Sequence, residues 1–183
     1  MNETDVEQFK TLREKLIKYE AITDRIEYEI ASYLNEVSKG DISEKASLRI
    51  KGMYRIIGEL ESLGDSGEAI GRMLQRRIDH DKSFDEEQMK RLNRMMDNLA
   101  IAYDAMVENL SNPTLKEIRN ASDAEYNINE CRNTLREEHI LNIEENSAYN
   151  YQTGVFYMDI IQEMEKMGDF IINVSEAQLA ENA

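Results

Sequence analysis

Eight oxygen-bearing side chains recur in this sequence as pairs four residues apart: Glu20 and Asp24, Glu61 and Asp65, Glu125 and Asn129, Glu165 and Asp169. Four residues is slightly more than one helical turn. Each pair would therefore share a helix face, with its members about 6 Å apart along the axis. Two carboxylates at that spacing repel each other. A cation, a basic partner, a protonated carboxyl or plain solvent would offset the repulsion. Glu61 follows Glu20 by 41 residues and Glu165 follows Glu125 by 40. Two facing helices would then bring four oxygen donors together, twice over, and oxygen donors are what hard and borderline cations take. Asn129 leaves the second set one charge poorer. The bland alternative is a run of carboxylates solvated on helix flanks. With 37 Asp and Glu residues in the chain, some pairs four apart arise by chance.

The last-helix pairs sit in a repeated motif. Glu59-Leu60-Glu61-Ser62-Leu63-Gly64-Asp65 returns 104 residues later as Glu163-Met164-Glu165-Lys166-Met167-Gly168-Asp169, preceded in both places by two isoleucines, Ile56-Ile57 and Ile160-Ile161. Two copies at one register indicate an internal duplication.

The elements that must carry these residues read as five helices. The first opens at Thr4 or Asp5 and carries apolar residues from Phe9 to Val37 in steps of three and four, ending at Lys39-Gly40. Asp41 is the expected cap of the second, which runs to about His80. Gly64, Gly67 and Gly71 fall on its apolar stripe. Each costs about 1 kcal/mol relative to Ala, so the pattern predicts a neighbouring backbone close to Asp65, or else a local break. Ser83 or Asp85 caps the third, with a stripe of Leu92, Met96, Leu99, Tyr103, Met106 and Leu110. Asn112 as N-cap and Pro113 at the first helical position start the fourth, which ends between residues 140 and 146. The fifth starts near Ser147. His80 and His139 read as surface side chains near helix ends, where a cation suits the helix dipole. Cys131 lies on an apolar face and reads as a small buried hydrophobe.

Composition agrees. The chain has 8 Gly and 1 Pro in 183 residues, very little punctuation, as suits long helices with short loops. A net charge of -15 disfavours nucleic acid and anionic lipid and favours cations and basic surfaces. A single cysteine excludes an internal disulfide framework. No apolar run is long enough to span a bilayer and none resembles a signal peptide, so the expected setting of this segment is soluble and intracellular. No glycine-rich phosphate cradle, GxSxG or HExxH motif occurs. An enzyme would have to rest on cation-bound water at the acidic pairs.

The two motif copies, with the runs Glu20–Ile30 and Glu125–Leu135, resemble the PhoU family of phosphate-uptake regulators over nearly the whole chain. The nearest form is the PhoU-like cytoplasmic domain of bacterial sodium/phosphate cotransporter-like proteins. The resemblance implies an all-α, antiparallel bundle built from two PhoU-like repeats. Residues 1–82 would form the first, lacking its first helix, and residues 83–183 the second, with three helices. Metal ligands would be Glu20, Asp24, Glu61, Asp65, Glu125, Asn129, Glu165 and Asp169, holding a divalent or multinuclear metal such as iron, zinc or magnesium. The function implied is non-catalytic regulation of a sodium-dependent phosphate transporter. The implied partner is the membrane domain of that transporter in the same longer polypeptide, with this segment tethered at the inner face of the membrane and not inserted in it. A missing helix would leave an apolar groove along the first two helices, which a homodimer would fill. Two other readings stand beside this one: a helical protein-interaction module without metal, and a metal-dependent hydrolase of the carboxylate-bundle type. The family motif carries Arg where this chain has Ser62 and Lys166, and a carboxylate where it has Asn129.

Overall fold

A computed structural model describes residues 3–112, 114, 116–145 and 150–181. They form five α-helices and, among the described residues, no strand: α1 (Glu3–Ser38), α2 (Glu44–Asp79), α3 (Glu86–Leu110), α4 (Arg119–Glu145) and α5 (Tyr151–Glu181).

Local chemistry explains most boundaries and corrects some expectations. Ser43, not Asp41, caps α2: its hydroxyl accepts from the Ala46 amide at 3.2 Å. Asp85 caps α3 as half of a capping box closed by Gln88, so two otherwise orphaned amides are satisfied. The fourth helix does not begin at Asn112. Asn112 instead accepts from the Thr114 amide within an irregular link, and the first helical turn of α4 forms when Ile118 accepts from the Ser122 amide. Pro113, Leu115 and Ser147 lie outside the described residues. α5, expected to start near Ser147, begins at Tyr151, with Asn150 before it accepting from the Thr153 amide at 3.2 Å.

α2 and α5 lie antiparallel at the centre. Arg55, early in α2, reaches Asn173 and Glu176, late in α5; Ser66 donates to Glu163 at 2.6 Å; His80 stacks on Phe156 at the other end. α1 runs antiparallel along α2 and, among the described helices, packs on α2 alone. α3 packs on both α4 and α5, running parallel to α5: Phe84 meets Tyr157, and Asn109 donates to Ser175.

The core is unevenly placed. Leu92, Met95, Leu99, Ala102 and Met106 of α3 pack with Ile128 and Leu135 of α4 and with Tyr157, Ile160, Ile161 and Met164 of α5, while the α2 residues packed against this cluster are partly buried and the buried Ile57 lies outside it. The α3 stripe is rotated from the expected one. Met95 and Ala102 are buried whereas Met96 and Tyr103 are exposed, because α3 sits in a notch between two helices and turns the intermediate face inward. His139 is another correction. α4 continues past it to Glu145, so it lies inside the helix, in step with Ile128 and Leu135. It is buried beside Tyr157, and burial lowers its pKa. Cys131 is buried as expected.

Two glycines hold the pairs together closely. At Gly64 an added Cβ would lie 2.7 Å from Thr23 Oγ1, and at Gly168 it would lie 3.0 Å from Ile128 Cδ1. These glycines occupy the same place in the repeated motif, and Thr23 and Ile128 are likewise matched, 105 residues apart. What approaches is a side chain of the adjoining helix, not a backbone, and α2 runs without a break. Gly67 faces open space. Gly67→Ala should therefore raise stability by about 1 kcal/mol through helix propensity. Gly168→Ala should lower it by about 1 kcal/mol or more, because Ile128 is fully buried and overpacking outweighs the propensity gain. Urea unfolding of the two variants checks both signs.

A candidate cation site between α1 and α2

Matched register gives the two helix pairs equivalent places for their carboxylates, but the chemistry in the two places differs. Between α1 and α2, carboxylate oxygens of Glu20, Asp24 and Asp65 lie within 4.8 Å of one another. α1 supplies two of them one turn apart, and α2 supplies the third directly after Gly64. The close contact at Gly64 brings the helices near enough for the three to meet. Thr23, the residue that touches Gly64, is itself fixed by donating to the Glu20 carbonyl at 2.7 Å. Glu20 is half-buried, while Asp24 and Asp65 are exposed.

Glu61 adjoins this trio without belonging to it. Burial pushes its carboxyl pKa up, and Asp65 adds to the rise, with smaller contributions from Asp24 and Glu27; Ser62 donates to it and pulls the other way. Glu27, one turn beyond Asp24, was not singled out by the pairwise spacing. Five carboxylates thus crowd the α1–α2 contact, and none of the ion pairs found among the described residues involves any of them.

Between α4 and α5 the corresponding residues carry their own cation. Arg132 donates to Asn129 at 3.2 Å and pairs with Glu165 at 3.3 Å, while the Asn129 amide donates to Glu125. Burial raises the Asp169 pKa, and the Arg132 charge opposes that rise. Arg132 stands 105 residues after Glu27, in the same register that relates Glu20 to Glu125 and Asp24 to Asn129. Extending the sequence comparison by one helical turn would have found it. The structure therefore gathers Glu20, Asp24 and Asp65 into an arrangement that can coordinate a metal ion. It links Glu125, Asn129, Arg132 and Glu165 into a hydrogen-bonded, ion-paired chain.

Comparison with family models, with curated proteins and with solved structures finds no match to this chain. No helix among the described residues is long and apolar enough to cross a membrane.

The raised Glu61 pKa has a testable sign. The native state holds this proton more tightly than the unfolded chain, whose carboxyl titrates near the ordinary 4.5. The associated stability is fully present below that pH and is lost as pH rises through the higher native value. Glu61→Gln should accordingly melt above the parent at neutral pH in chelator, and the difference should close on acidification. Thermal unfolding across that range measures it.

Proposed function

We propose that this chain is a non-catalytic regulatory domain of the PhoU-like kind, acting on a sodium-dependent phosphate transporter from the inner face of the membrane. Its two repeats are residues 1–82 and 83–183. The observation that carries the reading is the carboxylate trio at the duplicated motif: Glu20 and Asp24 from one helix and Asp65 from the next, brought together by the glycine contact beside them.

The residues present suit a divalent cation, whether magnesium, iron or zinc. All the donors are oxygens, which magnesium prefers and which iron and zinc accept. Two helices contribute, so an ion held there would tie α1 to α2. Like charges that repel in its absence would gain from its presence, and the folded state would be stabilised by mass action. Such an ion would supply charge neutralisation and a cross-link. The hollow nearest Glu61 is lined chiefly by Ile26, Ile30, Ile57, Leu60 and Leu63. That lining offers little to orient a polar substrate, which supports regulation over hydrolysis. Arg132 gives the α4–α5 place an internal counter-charge, so the weight of cation binding falls on the first set and not on Glu125, Asn129, Glu165 and Asp169.

Elemental analysis of anaerobically purified protein tests the cation. Asp24→Asn with Asp65→Asn should abolish bound metal, whereas Asp169→Asn should leave it near the parent level. Equal metal in all three proteins would sink the assignment. For regulation, removing residues 1–183 from the transporter polypeptide should change phosphate uptake or its response to external phosphate. Unchanged uptake, with the transporter still in the membrane, would overturn it.

A further inference from the structure

α1 presents to solvent a face that its counterpart buries. Leu16, Tyr19, Ile26 and Ile30 are 38%, 61%, 50% and 36% exposed; the residues 105 positions later, Ala121, Ala124, Cys131 and Leu135, are 1%, 4%, 7% and 0% exposed. The difference has one visible cause. α3 lies across α4 and α5 and covers that stripe, and no described helix lies in the matching place on α1 and α2. What remains there is a groove of about 350 Å³ whose walls are Ile26 and Ile30 of α1 and Ile57, Leu60 and Leu63 of α2, with Tyr103 of α3 at one side.

A solvated stripe of large aliphatic and aromatic side chains on the α1 wall of a groove, facing buried and partly buried aliphatic residues on the α2 wall, marks an interaction surface. The second half of the molecule shows the shape of element that suits it: an amphipathic helix with apolar residues repeating in threes and fours, as Leu92, Met95, Leu99, Ala102 and Met106 do in α3. The charge of the groove limits the occupant further. The acidic residues of its lining are Glu27 and Glu61, and no Lys or Arg stands among the lining residues. At the matched place between α4 and α5, Arg132 supplies the positive charge that Glu27 does not. A second copy of this chain would bring a further net charge of -15 to a groove whose own charged lining is acidic.

We propose that the α1–α2 groove is a docking site for a basic amphipathic helix of a partner protein, which takes the seat α3 holds on α4–α5 and sets Lys or Arg against Glu27 and Glu61. The carboxylates of the cation trio do not line this groove. The proposal therefore stands apart from the metal and from the transporter reading.

Two synthetic 25-residue helices test it, each keeping the five buried α3 residues named above. In one every exposed acidic residue is replaced by Lys; in the other every exposed basic residue is replaced by Glu. Fluorescence anisotropy against the full chain should show the basic peptide binding in the micromolar range, and the acidic one at least about tenfold more weakly. Ile30→Asp should weaken the basic peptide by about tenfold or more, and Glu27→Gln by severalfold. Ile30 is partly exposed in the free chain, and circular dichroism confirms that the variant is folded. Glu27→Gln, nearly isosteric, provides a second readout that does not disturb the apolar walls. No binding of the basic peptide at about 100 μM, equal binding of both peptides, or binding unchanged by Ile30→Asp would overturn the proposal. So would a concentration-dependent dimer of the free chain that Ile30→Asp dissociates, since a second copy would then be the occupant.

Discussion

Everything else in the molecule hangs on the antiparallel contact between α2 and α5. These two helices each carry apolar residues around more than one face, which is why they can pack on each other and still support neighbours. Ile160, Ile161, Met164, Ile171 and Val174 of α5 are buried in the core, and Ile56, Leu60, Leu63, Ile70, Met73 and Leu74 of α2 pack against it. Ser66 with Glu163 and Arg55 with Glu176 fix their register. α3 and α4 are then built on α5, and α1 is built on α2. Among the described helices, the α2–α5 pair is what joins the two halves of the duplicated chain.

Much of this arrangement was legible in the sequence, for stated reasons. Five helices followed from sustained steps of three and four with little Gly or Pro. Ser83 and Asp85 were both suited to cap α3, and Asp85 takes the place because Gln88 closes a capping box with it. The cap of α2 and the start of α4 were misread because several residues of the right type stand close together. Asp41 and Ser43 compete for one role, and which wins depends on where the first turn can pack. The orientation of α3 was misjudged by one residue, Met96 for Met95, because a stripe read along one helix does not say where two neighbours will lie. His139 reads from the sequence as a surface residue near a helix end because no Gly or Pro marks where α4 stops. At the candidate site, pair spacing was sufficient to single out Glu20, Asp24 and Asp65. It could not separate Glu61, whose carboxyl faces a different environment from Asp65 although they share a helix face. The difference between the two places depended on Arg132, a residue outside the spacing pattern.

That difference is an electrostatic one. Burial raises the cost of ionising Glu61, and the neighbouring carboxylates of Asp65, Asp24 and Glu27 add to it. Substituting Asn for Asp at 129 removes one charge, and Arg in place of Glu at 132 converts repulsion into attraction. The α4–α5 place is consequently partly neutralised from within. The carboxylates of the α1–α2 place enter none of the ion pairs among the described residues. Duplicated halves with the same close side-chain contact at Gly64 and Gly168 thus differ in charge, since only the second holds an arginine in its carboxylate cluster among the described residues.

The attachment of α1 on one side only gives the molecule an internal hierarchy of cooperativity. Protection against amide hydrogen exchange follows the free energy of the smallest opening that exposes each bond, and such openings occur in contiguous units. A 36-residue helix held by a single neighbour can detach while the four remaining helices keep their shared core. Amide exchange is therefore expected to show α1 as a separate unit of lower protection than α3, α4 and α5. Whatever binds across α1 and α2 would deepen that shallow level selectively, converting an occupancy into the order or disorder of one long helix while the core beneath stays unchanged.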